Sequence, residues 1–396
     1  MIIIAQTIFW ISVAALFYTY IGYPLFVYVV SRLFPKPINR ADFAPFVTVL
    51  ITAYNEERDI FAKLENTLQI DYPKEKLEIL VASDCSNDRT DEIVKEFAPK
   101  NVQLYRQTER LGKTMAQNAA VEKAAGEIIL FSDATTMYER DVLNAMLPNF
   151  ADKTVGCVAG KLIYVDDSHS PVGKGAKSYW NYETFLKEVE SRACSLIGAS
   201  GCLYAVRKSA YKPMYAEACS DFLICTILYR QGLRSVYEPN AVCTEETNRR
   251  TDKEMRMRVR VISQTFTDLW RNRGMLNPLK SGFYAIELIS HKVFRYAVPL
   301  FLLLLFFSSA FLAFSSVIFA VIFVLQVIFY LLALIGWLLE RKEKPLGILA
   351  IPLYFVLTNL ASLVGFYKFL RGERYARWEP IRDVEDKSVS TFNQTV

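Results

Sequence analysis

With 396 residues the chain has room for two or three domains, and a hydrophobic content of 52% is high for a soluble protein. A net charge of only +5, with no long basic run, excludes nucleic acid as a partner, and just two histidines, His169 and His291, point to a carboxylate as any catalytic base. The seven cysteines form no CxxC pair and no histidine-containing zinc pattern, so they read as reduced cytosolic thiols.

Ile2 to Val30 carries no charge and is long enough to span a bilayer. Without a basic start or a small-residue cleavage site, it reads as an anchor and not as a cleaved signal. Arg32, Lys36 and Arg40 follow, which by the positive-inside rule places the N-terminus outside and the next domain in the cytoplasm. After a Pro-rich linker to Phe46, strands are expected at 47–52, 77–82, 102–105 and 128–131, alternating with helices near 57–68, 89–97 and 114–125. That alternation predicts a parallel sheet with helices on both faces. The run Ile128-Ile129-Leu130-Phe131 has no polar alternation, as for a strand covered on both sides, and ends at Asp133. Two other strand ends carry Glu56 and Asp84, so the three acids form a rim over one sheet edge, where α/β folds hold ligands. An acidic rim of this kind suits a metal with a phosphorylated ligand.

Beyond residue 141 the pattern loosens. Strands are expected at 155–164, 202–206 and 235–243, with helices at 178–192 and from Asp221 to Gln231. Arg249 to Arg271 reads as one amphipathic helix, with Met255, Val259, Ile262, Phe266 and Leu269 on its apolar stripe. Residues 297–339 carry no charge and fit two spans, near 295–316 and 318–339; Leu346 to Phe366 is a third candidate. Four spans in all would return the tail to the outside, yet Lys368, Arg371, Arg374 and Arg377 argue that it stays in, so one C-terminal segment is re-entrant or interfacial.

Tyr54-Asn55-Glu56, Ser83 to Asp88, Gly112-Lys113 with Asn118, Asp133, Gly198-Ala199-Ser200-Gly201, Ser220-Asp221 and an arginine-rich helix before membrane spans occur here in unbroken order. In that order they resemble the family 2 glycosyltransferases, above all the membrane-bound cellulose, chitin, hyaluronan and poly-N-acetylglucosamine synthases. The resemblance implies an α/β GT-A (Rossmann-like) cytosolic domain plus α-helical transmembrane segments, a UDP-sugar donor, Mn²⁺ or Mg²⁺, and an inverting displacement. It divides the chain into an anchor (1–33), a GT-A domain (34–275) and an interfacial helix with about three spans and a basic tail (276–396).

On that resemblance Tyr54, Glu56 and Asp84 hold the nucleoside, Lys113 a phosphate, and Asp133 the metal. The family's Asp-x-Asp is Asp133-Ala134-Thr135 here, which leaves Thr135 a neutral ligand. Asp221 is implied as the general base, with Ser220 where the family usually has Glu. Gly198, Ser200 and Gly201 are implied to place the acceptor. Arg256 and Arg260 are implied to bind the diphosphate, although Val261 stands where the processive synthases carry Trp. Plainer readings stay open. Asp84 and Asp88 suit helix caps, Lys113 a solvated surface, 198–201 an ordinary turn, Trp180 and Tyr182 a core or interface, and the arginines anionic headgroups.

The function so implied is transfer of a sugar to a growing surface polysaccharide at the plasma membrane, with export or accessory subunits as further partners. The alternatives are transfer of a single sugar to a polyprenyl-phosphate or other lipid-linked acceptor, and a non-catalytic membrane scaffold.

Overall fold

The structure, a computed structural model, describes residues 1–165, 171–246, 251–342 and 344–377, the side chains of 171–179 and 246 excepted. His169, Arg249, Trp378 and Arg382 lie outside the described residues.

The chain starts with α1 (Ile2–Leu33), an apolar helix interrupted by a π turn at Tyr18–Gly22. A parallel half-sheet follows: β1 (Val47–Ala53), α2 (Ile60–Leu68), β2 (Leu77–Ser83), α3 (Thr90–Glu96), β3 (Val102–Arg106), α4 (Lys113–Lys123) and β4 (Ile128–Asp133). β1 and β2 are buried at every position, as continuous apolar strands between two helical layers must be. Alternate residues of β1 feed opposite layers. Val47, Val49 and Ile51 pack with Ile60 and Leu64 of α2, while Leu50 packs on the other face with Ala116 and Ala120 of α4.

The second half contributes β5 (Met137–Tyr138), α5 (Val142–Met146), β6 (Val155–Val165), α6 (Pro171–Ala193), β7 (Tyr204–Arg207), α7 (Ser220–Arg230) and β8 (Arg234–Glu246). All eight strands form one sheet in the order β3-β2-β1-β4-β7-β6-β8-β5. β7 runs antiparallel to β4 and β6, so the sheet is mixed. The parallel strand order reverses between β1 and β4, whose register sets Thr52 opposite Asp133. Such a switch point leaves a crevice at the carboxyl ends of the strands.

Next come the amphipathic α8 (Thr251–Arg271) and three further apolar helices: α9 (Phe283–Leu312), with a π segment at Ile289–Phe294, α10 (Val317–Glu340) and α11 (Ala350–Leu370). With α1, four helices are long and apolar enough to cross a membrane. α1 and α9 run antiparallel. Phe9 packs with Leu312 and Phe319 at one end, while Tyr18 meets Ser290 at 2.7 Å at the other.

α11 coincides with the third apolar span read from the sequence. It lies along α8 in parallel register: Tyr354 meets Arg258, Gly365 meets Ile262, and Phe366 meets Phe266 at 5.0 Å. Its N-terminal end packs on Gly336 near the end of α10, and the segment after it reaches back to the sheet domain, where Gln264 donates to the Tyr375 carbonyl at 2.8 Å. α11 is thus tied to α10 at one end and, through the segment after the other, to α8.

Candidate active site

Two strand ends are laced together at the crevice. The chain leaves β1 and β2 through left-handed residues, Asn55 (φ 55) and Cys85 (φ 59). Asn55 Oδ1 accepts from the Asn87 N–H at 2.9 Å, and Ser86 Oγ accepts from the Asn55 N–H at 3.1 Å. Asp88 caps α3 through the Thr90 N–H at 3.0 Å, but Asp84 does not cap that helix. Its two oxygens instead take the N–H groups of Leu111 and Gly112 at 2.8 and 2.9 Å. Burial raises the Asp84 pKa against these two hydrogen bonds. Asp84 thus tethers the loop that presents Lys113. Arg110 of the same loop stacks on the Tyr54 ring at 3.9 Å. Neither Tyr54 nor Asp84 is among the cavity-lining residues, whereas the buried Glu56 is.

A cavity of about 1230 Å³ opens beside this rim. On one wall Lys113 forms an ion pair with Asp133. Burial works against the Lys113 ammonium, but the Asp133 carboxylate, with Asp221 beyond it, raises its pKa. The turn after Asp133 is fixed from below by buried Lys63, which donates to the Thr136 carbonyl at 2.6 Å and lies 3.5 Å from the Tyr138 ring centroid. Thr135 donates to Glu245 at 3.0 Å. Burial first, and the Asp133 charge second, push the Glu245 carboxyl up to about 7.

The sequence reading missed Glu245 because the expected strand stopped at Cys243, whereas β8 runs on to Glu246. An acid at a strand end is the same signal that singled out Asp133. No group of three or more His, Cys, Asp or Glu placed to hold a metal ion occurs among the described residues. The pair Asp133 and Glu245 nevertheless fits a divalent cation that takes its other ligands from phosphate and water, and such a cation would relieve the repulsion that raises Glu245.

Asp221, in the first turn of α7, lines the same cavity. Its Oδ1 accepts from the Phe222 N–H at 3.0 Å and from the Cys219 thiol at 3.2 Å. Gly201 passes over the other oxygen so closely that a Cβ there would lie 3.3 Å from Oδ2. The loop 198–201 is held to α7 by the Ala199 N–H, which donates to the Asp221 carbonyl at 2.9 Å, and Lys187 donates to Ser200 Oγ. The small residues at 198–201 thus serve a close approach to the acid.

Of the two arginines, only Arg260 reaches the cavity. It is half-buried, and its Nε is out of solvent with no hydrogen-bond partner among the described residues. Burial lowers its pKa against the pull of Cys219, Asp133 and Asp221. Arg256 points away, 70% exposed and paired with Asp252 at 3.3 Å. Arg258 takes a structural place between Glu254, at 2.7 Å, and the Tyr354 hydroxyl of α11. The site therefore joins Glu56, Lys113, Asp133, Thr135, Gly198, Ser200, Gly201, Asp221 and Arg260 with the unforeseen Glu245, and leaves Tyr54, Asp84 and Arg256 outside the cavity.

A switch-point crevice with an acid at the end of β4, on a sheet that turns mixed beyond that strand, defines the GT-A class of glycosyltransferase fold. Residues 48–214 match the model of glycosyl transferase family 2. Over 215 residues the chain is 28% identical to the poly-beta-1,6-N-acetyl-D-glucosamine synthase of Staphylococcus aureus, covering 52% of each. Over 150 residues it is 29% identical to the glycosyltransferase AglE of Haloferax volcanii, covering 37% of this chain and 49% of that one. The chain spans about half the length of these curated relatives. Its fold is similar to that of a mannosyltransferase from Pyrobaculum calidifontis solved with GDP-Man and Mn²⁺, with a TM-score of 0.70, 24% identity, and coverage of 93% of this chain and 100% of that one.

Proposed function

We propose that the protein transfers a sugar from a UDP-sugar, with inversion, to a saccharide acceptor extended at the cytoplasmic face of the membrane. The observation that carries this reading is that Asp221 lines the same cavity as Lys113 and Asp133, with the glycine loop against its Oδ2. Asp221 takes the proton from the acceptor hydroxyl, the oxygen attacks C1, and the bond from C1 to the β-phosphate oxygen breaks with its electron pair going to UDP. Lys113 and Arg260 balance the charge that builds on the diphosphate. Asp133 and Glu245, with the Thr135 hydroxyl, would hold Mn²⁺ or Mg²⁺, which when bound neutralises the leaving group. Asp84 acts by tethering the loop that carries Lys113, and Tyr54 with Arg110 forms a flat surface for the base at its edge.

The likeness to a poly-N-acetylglucosamine synthase supports polymer extension as the product class. Arg32 and Lys36 after α1, and Arg341 and Lys342 after α10, support a multi-pass protein with its catalytic domain in the cytoplasm.

The test is to incubate the protein in lipid nanodiscs with Mn²⁺ or Mg²⁺ and a panel of UDP-sugars, with GDP-mannose as a contrast, and to measure nucleotide release and product size. One active UDP-sugar giving an inverted linkage is expected. Release from GDP-mannose alone would overturn the donor assignment, and release from no donor would leave the scaffold reading.

A further inference from the structure

β5 is the shortest strand of the sheet. It consists of Met137 and Tyr138 alone, lies at the sheet edge, and pairs on one side only, with Thr244 and Cys243 of β8. Two ladder positions do not hold a strand in place by themselves. Yet a spacing in the site depends on this strand. Asp133 ends β4 just before β5, and Glu245 directly follows the β8 residues with which β5 pairs. The path from Asp133 through Thr135 to β5, across the ladder to β8 and on to Glu245 closes where Thr135 donates to Glu245. Where β5 lies therefore sets how far apart the two carboxylates stand.

A helix holds it there. α2 presents two polar side chains, one turn apart, to β5. Asn66 Oδ1 accepts from the Tyr138 N–H at 2.8 Å and its Nδ2 donates to the Tyr138 carbonyl at 2.9 Å, so Asn66 takes the place on the free edge that a further strand would fill. Lys63 is fully buried and donates to the Thr136 carbonyl. Burial lowers its pKa to about 7, against the pull of Cys243, Asp133 and Cys202. Ammonium and amine both donate a hydrogen bond, so the contact holds in either state. Leu64, the next residue, packs in the apolar core, and a lysine nitrogen buried beside that core is costly unless it is partnered. The Tyr138 hydroxyl completes the hold, lying 3.3 Å from the Phe131 carbonyl and 3.2 Å from that of Cys202.

We propose that Lys63 and Asn66 are positioning residues for the divalent cation: by fixing β5 they keep Asp133 and Glu245 at the spacing at which one ion meets both. The proposal rests on the assignment of the metal to those two acids and names what holds the pair. Neither Lys63 nor Asn66 is among the cavity-lining residues, so both act through the backbone of the turn and of β5. A counter-charge alone would act in the opposite sense, because a cation behind the acids repels a metal and its removal would tighten binding.

The test uses the full chain in lipid nanodiscs, with Mn²⁺ titrated in the presence of UDP and read by electron paramagnetic resonance, and with the melting temperature measured in parallel. Lys63→Met and Asn66→Ala should each weaken Mn²⁺ binding by about ten- to a hundredfold, the usual loss when a partner behind a metal ligand is removed. Asn66 is only half-buried, so its variant carries the test should Lys63→Met fold poorly. Lys63→Gln, which keeps a donor without the charge, should bind Mn²⁺ more tightly than Lys63→Met. Leu64→Val is the control, a core residue between the two that should lower the melting temperature and leave Mn²⁺ affinity unchanged. Mn²⁺ affinity equal to that of the unaltered protein in both Lys63→Met and Asn66→Ala overturns the proposal. So does tighter binding in Lys63→Met, which would make the lysine a counter-charge alone, and so does an equal loss in Leu64→Val, which general loosening would explain. Absence of Mn²⁺ binding by the unaltered protein would overturn the metal assignment itself, and this proposal with it.

Discussion

At the scale of single residues, the proposed chemistry separates into a base and a leaving-group side that mutate differently. Asp221→Asn keeps the hydrogen-bond geometry but removes the proton acceptor. Transfer should fall by about a hundred- to ten-thousandfold, with UDP affinity kept. Parallel loss of both, by activity assay and calorimetry, would remove Asp221 from the role of base. Asp133→Ala and Glu245→Gln act on the other side. Each should weaken Mn²⁺ binding in the presence of UDP, read by electron paramagnetic resonance, and an unchanged signal in Glu245→Gln would return the metal to Asp133 alone.

Behind the base lies Asp268, which accepts from the Tyr215 hydroxyl and from the Cys219 N–H at 3.0 Å. Burial raises its carboxyl to about 8; the two hydrogen bonds and Arg271 oppose the rise, and Asp221 adds to it. A carboxyl with its folded pKa raised contributes stability that is fully present below the unfolded value of ~3.9 and is lost as pH climbs toward the folded value. Thermal stability in detergent should therefore decline between about pH 5 and pH 8, and the decline should flatten in Asp268→Asn. An unchanged slope in the variant would assign the dependence elsewhere.

At the scale of elements, the parallel half-sheet was legible because its strands are continuous apolar runs, each ending at a polar residue that marks the rim. Glu245 was not, since Thr244 and Glu245 break the apolar run while backbone pairing to Ile163 and Tyr164 carries β8 onward. Nor was the place of α11. Hydropathy records composition, and an apolar helix with one face on α8 has the same composition as one that crosses a bilayer.

The α8–α11 contact depends on Gly365, where a Cβ would lie 2.9 Å from Ile262 Cγ2 and 3.1 Å from the Val259 carbonyl. Replacing a mid-helix glycine ordinarily stabilises by about 0.5–1 kcal/mol. Here overpacking at about 1–3 kcal/mol should win, so Gly365→Leu is expected to lower the melting temperature. Gly274→Ala is the control, because nothing lies within 4 Å of its added Cβ. Equal shifts in the two variants would show that the close helix contact is not what decides.

At the scale of the whole molecule, the four apolar helices do not share one task. α1, α9 and α10 form an antiparallel set joined by a tight turn at Ser315 and Ser316, whereas α11 joins that set to the catalytic domain along α8 and ends where Ala376 closes on Gly112. A Cβ at Gly112, whose φ is +98, would lie only 1.9 Å from the Ala376 carbonyl oxygen, so the segment after α11 belongs to the loop that Asp84 tethers. A fourth crossing would carry that segment to the far side of the bilayer and undo both contacts. Three crossings, with α11 at the membrane surface, would keep Arg341, Lys342, Lys368 and Arg374 on one side with the catalytic domain, as the positive-inside rule asks. Single cysteines then discriminate, because the native thiols all lie between Cys85 and Cys243 in the sheet domain, which this arrangement would put beyond reach of an impermeant maleimide. Ser315→Cys should label on intact cells, while Lys342→Cys and Arg374→Cys should label only after permeabilisation. Labelling of Arg374→Cys from outside would make α11 a fourth crossing and would detach the tail from the rim of the active site.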